Sequence, residues 1–406
     1  MIKRESYLKK VTAFKDDDLI KILVGIRRSG KSSILAEVEK ILLKEKIPRN
    51  NIIKINFESL DYLDINSQAD FLTLARSLLG DKKEKKYFLL DEVQRVEGWD
   101  EVVNGLRVAG ADVYLSGSNS KLLSRELSTY LTGRFVNIRV FPLNFSEYLD
   151  FRRATKDEKP LGTIKQEFKR FLDRGGFPAL HTSFRSLEEC DEYIRDVYST
   201  IILRDLVERY NVRNTELLSR VVKYIFDNIG NPFSAKSIVD FLKSENRALS
   251  VETIYNYLKW LEDVFVIYRV PRTDLRGKSI LKMQEKFYLG DVGLLYAVNG
   301  RNSSYSSGLL ENIVFCDLIS KGFDVKIGKN GEKEIDFVAE RKGEKLYLQV
   351  CSSLRSEATK LREFSAFEGI KDNFPKYVLV NDDSFTPSSK DGISSIYLPS
   401  FLLSLK

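Results

Sequence analysis

Five short apolar runs punctuate the first 141 residues. Leu19–Val24, Asn51–Phe57, Lys86–Leu90, Asp112–Leu115 and Phe135–Val140 each have the length of a strand buried in a sheet. The stretches between them place apolar residues at helical spacing, most plainly from Ser33 to about Lys44. Strands alternating with helices predict an α/β fold built on a parallel sheet. After Pro142 the pattern turns helical. Phe145–Leu149, Thr163–Asp173 and Ser186 to about Tyr210 read as helices, broken by a charged loop from Arg152 to Pro160 and a loop at Gly175-Gly176-Phe177-Pro178. Three further helices follow, Leu217–Asn228, Ser234–Lys243 and Ser250–Phe265, with Ser234 and Ser250 as N-caps and the strand-like Val264–Val270 behind them. From about Gly308 the order is helix, three strands, helix, strand. Arg272–Lys278 forms a soft boundary, and the Ser/Gly/Asn-rich Asn299–Gly308 is the best linker.

Composition narrows the chemistry. The chain has 406 residues, 43% hydrophobic and 30% charged, as expected of a folded protein with two or three domains. Cys190, Cys316 and Cys351 lie far apart, so a disulfide framework is not expected. His181 is the one histidine, which removes histidine-based zinc sites, Ser-His-Asp triads and Cys-His pairs. Beside the double-glycine loop, it is read as structural. A net charge of +7 gives only a mild bias toward polyanions. The start of the chain lacks a signal-peptide run and no window reaches 18 apolar residues, so a cytoplasmic setting without a membrane is expected.

The sharpest signal follows the first run. Gly25-Ile26-Arg27-Arg28-Ser29-Gly30-Lys31-Ser32 is G-x-x-x-x-G-K-[ST], placed between a strand and a helix as a phosphate-binding loop requires. Gly25, Arg28, Ser29, Gly30, Lys31, Ser32 and Ser33 form the candidate cradle. Backbone N–H groups and the helix N-terminus face the phosphates. Lys31 reaches the β- and γ-phosphates, and the Ser32 hydroxyl ligates Mg²⁺. Roughly 60 residues on, Lys86–Leu90 ends in Asp91-Glu92. Asp91 is placed for the Mg²⁺ shell and Glu92 for polarising the attacking water. Asp112–Leu115 runs into Ser116-Gly117-Ser118-Asn119-Ser120, where Ser118 or Asn119 senses phosphate or positions water. A helix N-cap at Asn119 or Ser120 competes with that reading. Arg134, in Leu131-Thr132-Gly133-Arg134, is placed either as an arginine finger toward a neighbour's nucleotide or as a surface salt bridge.

With these motifs the chain resembles a family of AAA-type P-loop ATPases from bacteria and archaea. Shared landmarks are G-I-R-R-S-G-K-S, L-L-D-E-V-Q, L-S-G-S-N-S, L-T-G-R, Phe141–Tyr148, Gly175–Leu180, Leu203–Leu206, Lys286–Leu294, Glu311-Asn312 and Glu334–Phe337. The resemblance implies ATP as the nucleotide and an α/β fold, with an AAA-type parallel sheet, a helical lid, a winged helix and an α/β module similar to restriction endonucleases. It divides the chain into an ATPase core at 1–141, a lid at 142–212, a winged-helix segment at 213–278 and an endonuclease-like region at 279–406, with its core from about 305.

Neither later module reads as a nucleic-acid enzyme. Residues 213–278 hold 11 Lys and Arg against 8 Asp and Glu, a net of only +3, where phosphate-dominated binding wants a denser stripe. Arg269, Arg272, Arg276 and Lys278 are the cations left for DNA. Endonucleases of the resembled fold gather two carboxylates and a lysine around Mg²⁺. Here Glu311 and Asp336 stand, but the third element reads Gln349-Val350-Cys351, leaving Lys345 as a lysine that would have to migrate. Cys351 is read as a buried small residue. The leading expectation is a Mg²⁺-dependent ATPase, completed in a homo-oligomer by Arg134, that drives the later modules or a protein partner. An ATP-gated switch with little turnover is the alternative, and an ATP-regulated nuclease the third reading.

Overall fold

The computed structural model describes residues 2–80, 84–118, 133–155, 161–183, 186–244, 250–275, 277, 279–301 and 306–405. They fall into two compact units, Met1–Phe141 and Pro142–Lys406.

The first unit runs α1 (Glu5–Thr12), β1 (Ile20–Val24), α2 (Lys31–Lys44), β2 (Ile52–Asn56), α3 (Gln68–Leu79), β3 (Tyr87–Asp91), α4 (Trp99–Val108), β4 (Asp112–Gly117) and β5 (Phe135–Arg139). Its strands form one parallel sheet in the order β2-β3-β4-β1-β5. β1, β3 and β4 are buried throughout, which is why they read as near-continuous apolar runs. Tyr7, Leu8 and Val11 of α1 and Ile34, Leu35, Val38 and Leu42 of α2 pack one face, against Leu23, Leu89, Tyr114 and Ile138. Lys21 interrupts the β1 run, yet it is wholly buried. It ion-pairs with Asp112 on the neighbouring strand, and Tyr114 Oη and Asp16 N donate to the same carboxylate at 3.0 and 2.9 Å.

The second unit opens with helices. α5 (Phe145–Ala154), α6 (Ile164–Arg174) and α7 (Leu187–Thr200) begin at Asn144, Thr163 and Ser186, each of which caps its helix in a reciprocal capping box. α7 continues as a π-helix over Ile201–Glu208. Then come α8 (Thr215–Asp227), β6 (Pro232–Phe233), α9 (Ala235–Ser244), α10 (Val251–Asp263), β7 (Ile267–Asp274), β8 (Ser279–Leu289) and α11 (Gly293–Asn299). Ser250 and Ser234 accept the backbone N–H groups of Thr253 and Ser237, as N-caps do. The chain ends with α12 (Ser306–Ser320), β9 (Asp324–Asn330), β10 (Lys333–Arg341), β11 (Glu344–Cys351), α13 (Glu357–Ser365), β12 (Lys376–Val380), β13 (Ser388–Lys390), β14 (Ile393–Tyr397) and α14 (Leu398–Ser404).

The strands do not stop at the expected boundary near Arg272–Lys278. β7 pairs in parallel with β9, from Arg272 opposite Ile327 to Asp274 opposite Lys329, giving one sheet in the order β13-β14-β12-β11-β10-β9-β7-β8-β6. Pairing covers edges that would otherwise expose unsatisfied backbone groups. The expected linker is also tied down where it is described. Asn299 Nδ2 donates to Asp227 at 2.8 Å, and Arg301 makes a two-pronged bond to Asp191. A buried pin joins two of the sequence landmarks. Asp291 accepts the N–H groups of Gly176 and Gly293 at 2.6 and 2.7 Å. A Cβ at Gly175 would lie 2.2 Å from that carboxylate, and one at Gly176 would lie 2.3 Å from the Leu143 carbonyl oxygen. His181 is buried beside this loop with Nε2 2.7 Å from the Gly175 oxygen, a structural position as expected.

Candidate phosphate-binding site

The loop between β1 and α2 is built on close approach. A Cβ at Gly25 would lie 2.0 Å from the Val140 carbonyl oxygen, so only glycine fits. Arg28 and Gly30 take left-handed backbone conformations, φ +67° and +101°. Gly30 caps α2, so the first turn, with exposed Ser32 and Ser33, presents unsatisfied N–H groups. Lys31 is buried and its Nζ donates to the Gly25 and Ile26 oxygens at 2.9 and 3.0 Å. The ammonium is thus held across the loop. Ser29 is buried, and its carbonyl has a partner no motif announces. Arg4 donates to Ser29 O at 3.0 Å and to Phe141 O at 2.7 Å. Its guanidinium also lies 4.3 Å over the Tyr7 ring.

The second half of the site lies at the same sheet edge. Leu23 and Val24 of β1 face Ser116 and Gly117 of β4, and Leu115 of β4 faces Leu90 of β3. The β1 loop and the Asp91-Glu92 end of β3 therefore stand two strand spacings apart, about 10 Å. Ser116 Oγ donates to Asp91 Oδ1, and Glu92 N donates to Ser116 Oγ at 3.4 Å. Glu92 has φ +55°, rare for a residue with a side chain. Its Oε2 accepts from Gln94 Nε2 at 2.5 Å and from the buried Ser118 hydroxyl at 3.4 Å. Burial pushes the Glu92 carboxyl above its ordinary value; the Lys31 charge opposes that shift and Asp91 adds to it. Asn119 lies outside the described residues. Arg134 is exposed just before β5, at the level of Ile20, whose N–H donates to its carbonyl at 3.0 Å. That is the amino edge of the sheet, about 16 Å of strand from the chain's own loop. Sequence reasoning missed Arg4, Ser116 and Gln94. Ser116 and Gln94 both lay within recognised motifs, L-S-G-S-N-S and L-L-D-E-V-Q.

The C-terminal carboxylates occupy a different kind of place. Among the described residues, no group of three or more His, Cys, Asp or Glu is disposed to hold a metal ion. Glu311 pairs with the buried Lys286 at 3.4 Å and accepts from Tyr288 Oη at 2.8 Å. Lys286 also pairs with Glu334 at 2.8 Å. Asp336 Oδ2 accepts Val350 N at 2.8 Å, and Gln349 Nε2 donates to Glu363 at 2.9 Å. Burial raises the Asp336 and Glu311 carboxyls. The migrated lysine sought at Lys345 is not there. Lys345 pairs with Glu340 at 3.4 Å, and the cation of this cluster is Lys286, from a strand earlier in the chain. Cys351 is buried, and burial pushes its thiol up to about 12. The cations considered for DNA are also engaged. Arg269 forks onto Glu262 at 3.0 and 3.1 Å, and Arg272 pairs with Glu334 at 3.2 Å. Arg276 and Lys278 lie outside the described residues.

Residues 17–149 match the family model of an AAA domain, and residues 165–305 match a domain of unknown function. Over 404 residues the chain is 36% identical to an uncharacterised protein of Haemophilus influenzae, covering 99% of both chains. It is 31% identical to an uncharacterised protein of Methanocaldococcus jannaschii over 389 residues, 92% of this chain and 84% of that one. The chain belongs to this family of AAA-domain proteins. In this AAA protein the second match spans α6 to α11 and crosses both expected boundaries, near 212 and 278. Among solved structures it is similar to the Aeropyrum pernix ORC1 protein in complex with DNA, with 12% identity, TM-score 0.36 and coverage of 73% of this chain and 92% of that one. It is similar also to AMPPCP-bound DnaA from Aquifex aeolicus, with 15% identity, TM-score 0.32 and coverage of 64% and 87%. Both likenesses are too slight to assign a ligand. Among the described residues, no helix is long and apolar enough to cross a membrane.

Proposed function

We propose that the first unit binds ATP with Mg²⁺ and hydrolyses it, passing its nucleotide state to the second unit. One observation carries the reading: the Gly25–Ser33 loop with Lys31 held across it, and the Asp91-Glu92 carboxylates, share the carboxyl edge of one parallel sheet, where such sheets bind ligands. Loop N–H groups and Lys31 stabilise charge on the β- and γ-phosphates. Glu92 orients the attacking water and takes its proton, and Ser118, which touches Glu92, holds that carboxylate. Ser32 and Asp91 are hard oxygen donors without an all-protein cage, the donor set that suits Mg²⁺ shared with phosphates. Bound there, the ion would neutralise charge developing on the phosphoryl oxygens.

Arg134 completes the site of a neighbouring copy, which makes the working form a homo-oligomer. Its place at the amino edge leaves no part for it in its own chain's site. The segment 213–278 is the winged-helix element and serves a protein partner rather than DNA, since Arg269 and Arg272 are spent on internal carboxylates. A Lys31→Ala variant is expected to lose ATP binding. Glu92→Gln is expected to bind ATP and turn over at least about 100-fold more slowly. ATP binding that Lys31→Ala leaves intact would refute the site. Binding with negligible wild-type turnover would leave a switch in place of an ATPase.

A further inference from the structure

The L-L-D-E-V-Q run carries a polar residue beyond its two carboxylates. Gln94 lies in the 3₁₀ turn Val93–Arg95, which Glu92 caps with φ +55° and ψ 38°. Arg95 N donates to Glu92 O at 3.2 Å and closes the turn. The turn carries the Gln94 carboxamide back over the glutamate, and its Nε2 donates to Glu92 Oε2 at 2.5 Å. Ser118 Oγ donates to that same oxygen at 3.4 Å. Both donors load Oε2, and among the described residues Oε1 receives none.

Two costs are concentrated here. A side-chain-bearing residue in the left-handed region costs roughly 1–2 kcal/mol. Gln94 Oε1 is buried and, among the described residues, has no hydrogen-bond partner, which costs about 1–3 kcal/mol. Turning the carboxamide over would aim that oxygen at a carboxylate and lose the charge-assisted bond. The carboxamide orientation is therefore dictated by Glu92. Costs of this kind persist where a site needs a fixed geometry, and this turn follows Glu92 at the carboxyl edge of the parallel sheet.

We propose that Gln94 is a positioning residue for ATP hydrolysis: it clamps Oε2 of Glu92, so that Oε1 is the oxygen presented to the attacking water. The inference rests on the ATPase reading above. In the step it serves, the water oxygen bonds to the γ-phosphorus while Glu92 takes a water proton. The bond from that phosphorus to the bridging oxygen breaks, and ADP leaves with the electron pair. Gln94 touches none of the reacting atoms.

The test compares wild type, Gln94→Ala, Gln94→Glu, Glu92→Gln and the double variant Glu92→Gln/Gln94→Ala, in the full chain. Each is measured for kcat, KM, dissociation constant for a fluorescent ATP analogue, and melting temperature. A 1 Å misplacement of a reacting group costs on the order of 100-fold. Gln94→Ala should lower kcat by about 10- to 100-fold, with KM, affinity and melting temperature near wild type. Gln94→Glu, nearly isosteric but repelling Glu92, should lose more. Adding Gln94→Ala to Glu92→Gln should cost nothing further. Unchanged kcat in both Gln94 variants, while Glu92→Gln is inactive, would overturn the clamp and leave the ATPase reading standing. So would a loss confined to affinity and melting temperature, the mark of a purely structural role. A wild-type protein without turnover would overturn the ATPase reading, and the clamp with it.

Discussion

Replacing Arg4 with methionine removes a side chain that ties the loop to the end of the first unit. Arg4 is buried, donates to Ser29 O at 3.0 Å and Phe141 O at 2.7 Å, and lies over Tyr7. A hydrogen bond to a charged group is worth about 1.5–3 kcal/mol net, and a partly desolvated cation–π contact about 1–2. Methionine keeps much of the volume and removes the cost of burying a guanidinium, so the net loss is about 2–4 kcal/mol. That is a large share of the 5–15 kcal/mol typical of a domain. The effect should reach the ligand as well. A peptide unit is planar and trans, so fixing the Ser29 carbonyl fixes the Gly30 N–H on the opposite side. Without Arg4 that donor loses its aim, and ATP affinity should fall by at least about tenfold. The chain has two tryptophans, and Trp99 belongs to the first unit. In a Trp260→Phe background, its fluorescence during urea unfolding reports that unit. A lower midpoint at constant slope is expected. An unchanged midpoint together with ATP affinity within twofold of wild type would refute the reasoning.

Three further outcomes are expected. Lys21→Ala leaves the Asp112 carboxylate buried without its cation and should destabilise the first unit by about 3–5 kcal/mol, whereas Lys21→Met with Asp112→Asn, which keeps an acceptor for Tyr114 Oη and Asp16 N, should lose less; urea unfolding separates them. Gly176→Ala drives a Cβ to 2.3 Å from the Leu143 oxygen and should cost the second unit about 3 kcal/mol or more, read as a lower melting temperature or loss of soluble protein. Burial, with help from Arg174, Arg170 and Arg152, lowers His181 to about 3. The unfolded chain takes up a proton there below its ordinary value near 6.5 and the native chain does not, so stability falls as pH drops through that window. The loss reaches about 5 kcal/mol at the acid end. His181→Asn should flatten the slope of unfolding free energy between pH 6 and 4 by about one proton, and an unchanged slope would contradict the buried neutral ring.

What the sequence disclosed follows from range. The β1–loop–α2 unit and the strand ending in Asp91-Glu92 were legible because motif and periodicity are local, and their ends fall within one or two residues of the expected ones. Glu92 and Ser118 were named from position alone, and the structure brings them together. Arg4 was not legible, because its partners lie 25 and 137 residues away. Lys21 was not singled out in its apolar run, because Asp112, its partner on β4, lies 91 residues away. The expected break near Arg272–Lys278 missed the sheet because the parallel pairing of β7 with β9 is non-local, and no turn signal announces it. Lys286 escaped for the same reason: the lysine of the Glu311 cluster comes from β8, while the motif directed attention to β11. Gln94 was within reach, two residues from Glu92, but a left-handed glutamate is not predictable from residue type.

The most direct test is calorimetric titration of ATP into the wild-type chain and into Lys31→Ala, with Mg²⁺, followed by turnover across a range of protein concentrations. Saturable binding that Lys31→Ala abolishes, with specific activity rising as protein concentration rises, is the result predicted for a site completed by Arg134 of a neighbouring copy. ATP binding that Lys31→Ala leaves unchanged, or no binding by the wild type, would contradict the assignment of the Gly25–Ser33 loop.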